Sequence, residues 1–204
     1  MRSVLVASMA VLLLGSSVLA KTTFLSVWKS PTAAGESFKG KKVAALLIDK
    51  DDQLRMSAEE ALVRELDARD IKATAAYRIV PREELQSADK AKVWFEKQGI
   101  EGVVAMRVVA SDTVRKFEPS NFTVSYYNNF WGYYGYGWGE VYQSGKMRDQ
   151  RIVSIETLIF SIPKNALLWA GVSYTEDPMS PAKTVYEVVK EAVKEMKKQG
   201  LVSK

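Results

Sequence analysis

KVAALLID, residues 42–49, gives the clearest indication of the fold of this chain. It is an apolar run between a lysine and an aspartate, without the alternation that marks a strand with one wet face. Continuous runs of this length are typical of strands that are buried on both faces. Such strands belong to sheets that carry helices on both sides, so the run predicts an α/β fold.

A helix is predicted directly downstream, at 57–69. Ser57 and Glu60 have the spacing of a capping box, in which each side chain binds the backbone amide of the other residue. The apolar residues of this helix repeat on one face, and its charged residues are predicted to be exposed to solvent. The apolar set is Ala58, Leu62 and Leu66, and the charged set is Glu59, Arg64, Asp67 and Arg69.

The next elements complete a β-α-β-α-β order. Strands are predicted at 71–77 and 102–109, with a helix between them that ends at Gly99. The buried side of that helix is predicted to be Ala91, Trp94 and Phe95. Because the connections are short and hold helices, these strands are predicted to run parallel with right-handed crossovers.

The second half of the chain has a different pattern. Strands at 151–162 and 167–174 are separated by a hairpin-length turn, which predicts antiparallel pairing. Alternation in the first of them indicates that one face is more protected than the other. A last helix begins after the cap Ser180 and ends at Gly200. The predicted fold is therefore α/β with α+β character: β-α-β-α-β, a β-hairpin and a C-terminal helix, with a mixed sheet in a single domain. Residues 23–28 indicate either an additional edge strand or a docked arm.

Residues 1–20 have the order of a secretory signal peptide, with Arg2 first, an apolar core, small residues and Ala20 before the cut. The core is shorter than the roughly 20 apolar residues of a spanning helix, and serines and a glycine interrupt it. We expect export to the bacterial periplasm and a soluble envelope domain at 21–204. Cleavage removes one basic residue and no acid, so the formal net charge falls from +5 to +4.

The chain contains no cysteine and no histidine. Without cysteine there is no disulfide, no thiolate nucleophile and no lipid anchor on an amino-terminal cysteine. Without histidine, Ser-His-Asp and Cys-His catalysis and the histidine-based metalloprotease sites are excluded. The sequence also has no phosphate-binding glycine loop and no nucleophile elbow. We therefore expect no catalysis and no cofactor.

Residues 122–142, FTVSYYNNFWGYYGYGWGEVY, combine ten aromatic residues with four glycines. Glycine opposes regular helix and weakens strand, so an irregular or mobile loop is predicted at about 118–146. Tyrosine and tryptophan supply contact area at low entropic cost and tolerate a wet edge. The side chains that we expect to form a contact surface are Trp131, Tyr133, Tyr134, Tyr136 and Trp138.

Three interpretations of this aromatic segment stay open. In the first, the segment folds back over its own sheet, because large aromatic groups rarely remain exposed without cause. In the second, it binds a saccharide polymer, a peptide or a partner protein, as loops on rigid scaffolds commonly do. In the third, it makes peripheral contact with a membrane interface. Nucleic acid is disfavoured as a partner, because no basic residue lies between Lys116 and Lys146 and the compartment is wrong.

Acidic residues follow the first buried strand, at the sheet edge where α/β proteins usually bind ligands. Asp49, Asp51 and Asp52 are the metal candidates, against the simpler interpretation of a solvated turn. A phospho-receiver domain would also need an acceptor at the end of the third strand, where Asp112 comes late. A carboxylate-dependent hydrolase of an envelope polymer is the catalytic alternative, with Asp49, Asp51 and Glu140 as its acids.

The segments that carry a family resemblance are Ser26–Pro31, Lys42–Ile48, Ala61–Leu66, Ala76-Tyr77 ahead of Pro81, Gly99–Val104 ahead of the Tyr/Gly-rich insertion, Phe160–Trp169 and Asp177-Pro178. They resemble small bacterial envelope proteins of unknown function, many of which are lipoproteins. The strand order is similar to the α/β domains of penicillin-binding-protein activators, curli-secretion lipoproteins and the amino-terminal domain of the Tol translocation protein. The resemblance implies a non-catalytic, envelope-associated binding or assembly module. Its expected partner is an envelope protein, peptidoglycan or another saccharide polymer.

Overall fold

A computed structural model of the protein describes residues 22–113, 129–137, 151–176, Pro178 and 180–201. The predicted signal peptide at 1–20 lies outside these residues. Within the described ranges, no helix is both long and apolar enough to cross a membrane.

Six strands form one mixed sheet. They are β1 (Thr22–Lys29), β2 (Lys42–Ile48), β3 (Lys72–Ala75), β4 (Gly102–Thr113), β5 (Arg151–Ser161) and β6 (Ala166–Glu176). Their order across the sheet is β1-β6-β5-β4-β2-β3. β2 is parallel to β3 and β4, whereas β4, β5, β6 and β1 pair antiparallel. The predicted α/β class with a mixed sheet is confirmed, including β1 at the edge.

Helices cover both faces of this sheet. They are α1 (Asp52–Asp67), α2 (Ala76–Ile79), α3 (Ala88–Gln98), α4 (Phe130–Gly137) and α5 (Pro181–Lys198). α1 and α5 pack on one face, which we call the first face. α3 and α4 pack on the second face. β2 contributes Val43, Ala45 and Leu47 to the first face and Ala44, Leu46 and Ile48 to the second. All six are at most 4% exposed, so the prediction of a strand buried on both faces is confirmed.

The caps of α3 and α5 also follow their sequence signals. Gly99 ends α3 in the left-handed conformation, with φ at 65°, which glycine adopts without strain. At the start of α5, the Ser180 hydroxyl accepts a hydrogen bond from the Lys183 amide at 3.4 Å. These ends are encoded locally, by residues within one helical turn of the boundary.

The start of α1 differs from the prediction. The helix begins at Asp52, not at Ser57, because the Asp51 carboxylate accepts the Leu54 amide at 3.0 Å and caps the helix earlier. The Ser57 hydroxyl instead donates to the Leu54 carbonyl at 3.0 Å, within the helix. The capping box is therefore not formed, since an aspartate upstream satisfies the free amides first.

Glu59 was predicted to lie in water, but the structure buries it completely. Its Oε1 accepts the Leu47 amide at 3.2 Å, and its Oε2 accepts the Tyr77 amide at 2.9 Å. Ala45 is the last β2 residue that pairs with β3, so the amide of Leu47 lies beyond that ladder. The carboxylate takes the place of the missing strand partner. The strand predicted at 71–77 ends at Ala75, and α2 begins at Ala76.

Burial raises the pKa of Glu59 to about 7, although the two amide hydrogen bonds and the nearby Arg55 lower it. The Arg55 Nη1 lies 3.8 Å from Oε1. In the unfolded chain, the pKa of this carboxyl group returns to its ordinary value of 4.5. The folded state therefore binds the proton more tightly than the unfolded state does.

The free energy of unfolding is expected to carry a Glu59 contribution that is largest below pH 4.5 and is lost as the pH rises to about 7. The full change corresponds to about 3 kcal/mol. Urea denaturation across this range measures it. Glu59→Gln is expected to be less stable at low pH and to lack this part of the pH dependence. Glu96→Gln, at an exposed position of α3, is the control, and an equal pH slope in both variants would contradict the assignment.

Candidate functional site

The middle of the aromatic segment is a helix, α4, and the prediction of an irregular loop there is wrong. Asn129 begins it, since its Oδ1 accepts the Gly132 amide at 2.8 Å. Each glycine in a helix costs up to about 1 kcal/mol relative to alanine. Burial of Phe130, Tyr133 and Tyr134, none of which is exposed, offsets that cost.

α4 packs its rings on the second face of the sheet. Phe130 lies edge-to-face between Phe95 and Phe160, with both centroids at 5.5 Å. Tyr133 also contacts Phe160, at 5.6 Å between centroids. β5 is consequently buried on both faces from Ser154 to Ser161, and the prediction of one more protected face is wrong for this part of the strand. In these residues, the segment folds back over its own sheet.

A buried ion pair lies beneath α4. Arg107 on β4 and Glu156 on β5 are opposite each other in the sheet, with Nε and Oε1 2.6 Å apart and both side chains at most 5% exposed. The Arg107 guanidinium also lies 5.5 Å from the centroid of the Tyr133 ring. A ring face attracts a cation, and a well-paired guanidinium tolerates burial. Sequence reasoning missed this pair because the two residues are 49 positions apart in otherwise apolar strands.

The five aromatic candidates have different environments. Tyr133 and Tyr134 are fully buried and belong to the protein's own core, so they do not form an exposed contact surface. Trp131 is half-buried and meets Phe95 edge-to-face at 5.7 Å. The side chain of Tyr136, and Trp138 as a whole, lie outside what the structure describes. Contact through Trp131, Tyr136 and Trp138 stays a prediction.

A cleft of about 150 Å³ opens at the carboxyl edge of β2 and β4. α1, which follows β2, covers the first face, whereas α4, which follows β4, covers the second. Ligand sites of α/β sheets commonly lie where adjacent strands send their connections to opposite faces. The residues that line the cleft are Asp49, Leu54, Val108, Ser111, Val153, Ile155, Pro178, Ser180, Thr184 and Val185.

The walls of this cleft are mostly apolar: six of the ten described lining residues are apolar, and the polar ones are Asp49, Ser111, Ser180 and Thr184. Val108, Val153 and Ile155 come from the sheet, and Leu54 and Val185 come from the two helices of the first face. Apolar walls with a small number of polar groups are the usual composition of a ligand pocket. Of the described residues that line the cleft, one is charged, the half-buried Asp49.

The acidic residues after β2 have separate roles. Asp49 Oδ1 accepts the Asp51 amide at 2.8 Å, and Asp51 caps α1. Asp52 forms ion pairs with Arg55 at 3.2 Å and with Arg82 at 2.7 Å. In the described part of the chain, no three acidic side chains come together as a group that could hold a metal ion.

The hydrolase alternative requires two carboxylates across one site. Asp49 lines the cleft and Asp51 is engaged as the cap of α1. Glu140 and the side chain of Asp112 lie outside the described residues. The described lining of the cleft therefore supplies a single carboxylate, and the second acid of that alternative stays a prediction.

Neither a protein-family model nor a curated protein sequence matches this chain. Among solved structures, it is similar to a PelC dodecamer from Paraburkholderia phytofirmans, with 12% identity over 84% of this chain and 94% of that chain and a TM-score of 0.44. A second crystal form of PelC gives 11% identity, 85% and 94% coverage and a TM-score of 0.42. Lipoprotein GNA1162 from Neisseria meningitidis gives 11% identity, 76% and 97% coverage and a TM-score of 0.40. These are likenesses of fold. The resemblance to small envelope proteins of unknown function stays a prediction.

Two substitutions are expected to change stability in opposite directions if α4 is a helix anchored by its rings. Phe130→Ala removes a ring between Phe95 and Phe160 and should lower the free energy of unfolding by about 3–5 kcal/mol. Gly135→Ala is at an exposed position, where the added Cβ would meet the Ala88 Cβ at an ordinary 4.0 Å. It should raise stability by up to about 1 kcal/mol. Urea denaturation of both variants measures this, and a neutral result for Phe130→Ala would contradict the packing.

Proposed function

We propose that this protein is a non-catalytic binding module of the bacterial cell envelope, and that the cleft beside Asp49 is its principal binding site. The observation that carries the proposal is the position of that cleft at the carboxyl edge of β2 and β4, with apolar walls and few polar groups. The absence of histidine and cysteine from the sequence supports binding over catalysis, because the common nucleophile and base combinations need them.

The partner that we propose is an envelope protein or a peptidoglycan strand. A second contact surface is formed by Trp131, together with Tyr136 and Trp138 further along the segment. The burial of Phe130 and Tyr133 supports this assignment, since it anchors α4 and holds the half-buried Trp131 at the protein surface. Binding residues are commonly presented in this way, on segments fixed to a rigid scaffold.

Export brings the domain to its partner, and we propose cleavage after Ala20. When the full chain is produced in a bacterium, amino-terminal sequencing of the periplasmic fraction is expected to begin at Lys21. Leu13→Arg places a charge in the apolar core of the signal and should leave the protein uncleaved in the cytoplasm. Recovery of residues 1–20 on the periplasmic protein would contradict cleavage at this position.

Blocking the cleft is expected to weaken retention of the protein on its partner. Ser111 is exposed at the cleft, so Ser111→Trp should fill the opening without entering the core. Val93→Trp adds the same ring at an exposed site on α3 and is the matched control. The measurement is the amount of each variant retained on purified peptidoglycan and on solubilised envelope proteins.

We expect Ser111→Trp to lose about fivefold or more of the retention, as for a contact worth about 1 kcal/mol, and Val93→Trp to keep it. Equal retention of both variants, each with a native unfolding transition, would overturn the cleft as the principal site. A Trp131→Ala variant tests the second surface in the same assay. Release of soluble sugars from peptidoglycan that is lost in Asp49→Asn would favour the hydrolase instead.

A further inference from the structure

We infer that the cleft takes a peptide segment of a partner protein, in which an apolar side chain stands next to a lysine or an arginine. This inference rests on the proposed function and names the ligand chemistry of the same cleft. The size of the cleft, the polarity of its walls and the charge at Asp49 favour this ligand.

The size of the cleft fits one side chain. Its volume of about 150 Å³ is similar to that of an apolar protein cavity that holds benzene. A group of the size of a leucine or phenylalanine side chain would fill it. A chain of sugar rings would reach it with one ring at most.

The polarity of the walls favours an apolar group over a sugar. Val108, Val153 and Ile155 present hydrocarbon from the sheet, and Leu54 and Val185 present it from the helices. A sugar ring placed among them would leave the hydroxyl groups that face these apolar side chains without hydrogen-bond partners, which is unfavourable in a desolvated site. An apolar side chain loses nothing there and gains burial.

The charge at the cleft favours a cation beside that side chain. Asp49 is half-buried, and within the described residues its one hydrogen bond is the 2.8 Å bond from the Asp51 amide to Oδ1. The second carboxylate oxygen is thus open to a further donor. A carboxylate that is partly removed from water binds an ammonium or guanidinium group more strongly than a neutral donor. The negative charge of Asp49 is opposite in sign to the net charge of the whole chain, which is positive.

The remaining polar groups suit a peptide backbone. Ser111 is exposed at the cleft and can donate to or accept from an amide. The Ser180 hydroxyl accepts the Lys183 amide and keeps its own proton for a peptide carbonyl. A peptide would therefore use apolar, ionic and hydrogen-bonding contacts together, whereas a free alkylamine would use only the first two.

Four probes separate these contributions in a titration followed by NMR amide shifts of the labelled protein. Three are capped tetrapeptides with the central pairs leucine–lysine, leucine–glutamate and glycine–lysine, and the fourth is hexylamine. We expect the leucine–lysine peptide to bind with a Kd about fivefold or more below those of the other three. The shifts are expected at Ser111, Ile155 and Thr184, which line the cleft.

Variants assign the selectivity to named groups. Asp49→Asn is expected to bind the leucine–lysine and leucine–glutamate peptides equally, and Ser111→Trp to bind none of the probes. Asp70→Asn is the control for loss of one carboxylate, because Asp70 is exposed and has φ at 61°, which asparagine also adopts. It should keep the wild-type order of affinities.

Several results would overturn the inference. Tighter binding of the leucine–glutamate peptide would show that the positive N-terminal ends of α1 and α5 select the ligand. Equal binding of the glycine–lysine peptide would remove the apolar anchor, and tighter binding of hexylamine would make the ligand a small amine. Absence of shifts at the cleft with all four probes would also reject it. The proposed function fails separately, if Ser111→Trp abolishes peptide binding but leaves envelope retention unchanged.

Discussion

β2 is buried on both faces, and this burial determines where the helices must pack. Val43 to Ile48 have no polar side chain and no exposed one, so the sheet must be covered on both sides. α1 and α5 cover the first face, and α3 and α4 cover the second. β2 and β4 share a carboxyl edge, and the helices that follow them in the chain, α1 and α4, therefore lie on opposite faces. The cleft beside Asp49 is at that edge as a consequence of how β2 is buried.

Two buried carboxylates show how the fold handles polar groups within this apolar arrangement. Glu59 accepts the amides of Leu47 and Tyr77, where β3 has ended and α2 begins. Glu156 pairs with Arg107 across β4 and β5, under the ring of Tyr133. Each carboxylate has partners from other elements, which is what makes its burial tolerable. Each also ties together segments that are distant in sequence.

Local signals account for the parts of the fold that could be predicted from the sequence. The apolar run of β2, the hairpin of β5 and β6 and the ends of helices at Gly99 and Ser180 are set by residues close to each feature. The order of these elements, with short helical connections followed by a hairpin, was enough to predict a mixed sheet.

Most of the errors have a common physical cause, because they depend on partners that are distant in sequence, whereas the wrongly predicted start of α1 depends on the nearby Asp51. The sequence places Glu59 on the solvent-exposed side of its helix, because no residue near it shows that the backbone amides of Leu47 and Tyr77 need a hydrogen-bond acceptor. α4 has glycines that oppose a helix, and its formation depends on Phe95 and Phe160. Of the candidate site, Asp49 was found from its position after a buried strand. Its apolar neighbours were not found, because they come from β4, β5 and both helices of the first face.

The cleft and the buried ion pair lie back to back on the same two strands. On β4, Arg107 contributes to the ion pair on the second face, and the adjacent Val108 lines the cleft on the first. On β5, Glu156 contributes to the ion pair on the second face, and the adjacent Ile155 lines the cleft on the first. An ion pair with a 2.6 Å contact joins these strands directly behind the cleft, next to the irregularity in β4 between Val108 and Ala110. The shape of the cleft is thus held from the opposite face, by a charge pair that α4 covers. Such a preformed site loses little conformational entropy when a ligand binds. The buried rings of α4 therefore help to hold the shape of the cleft from the opposite face.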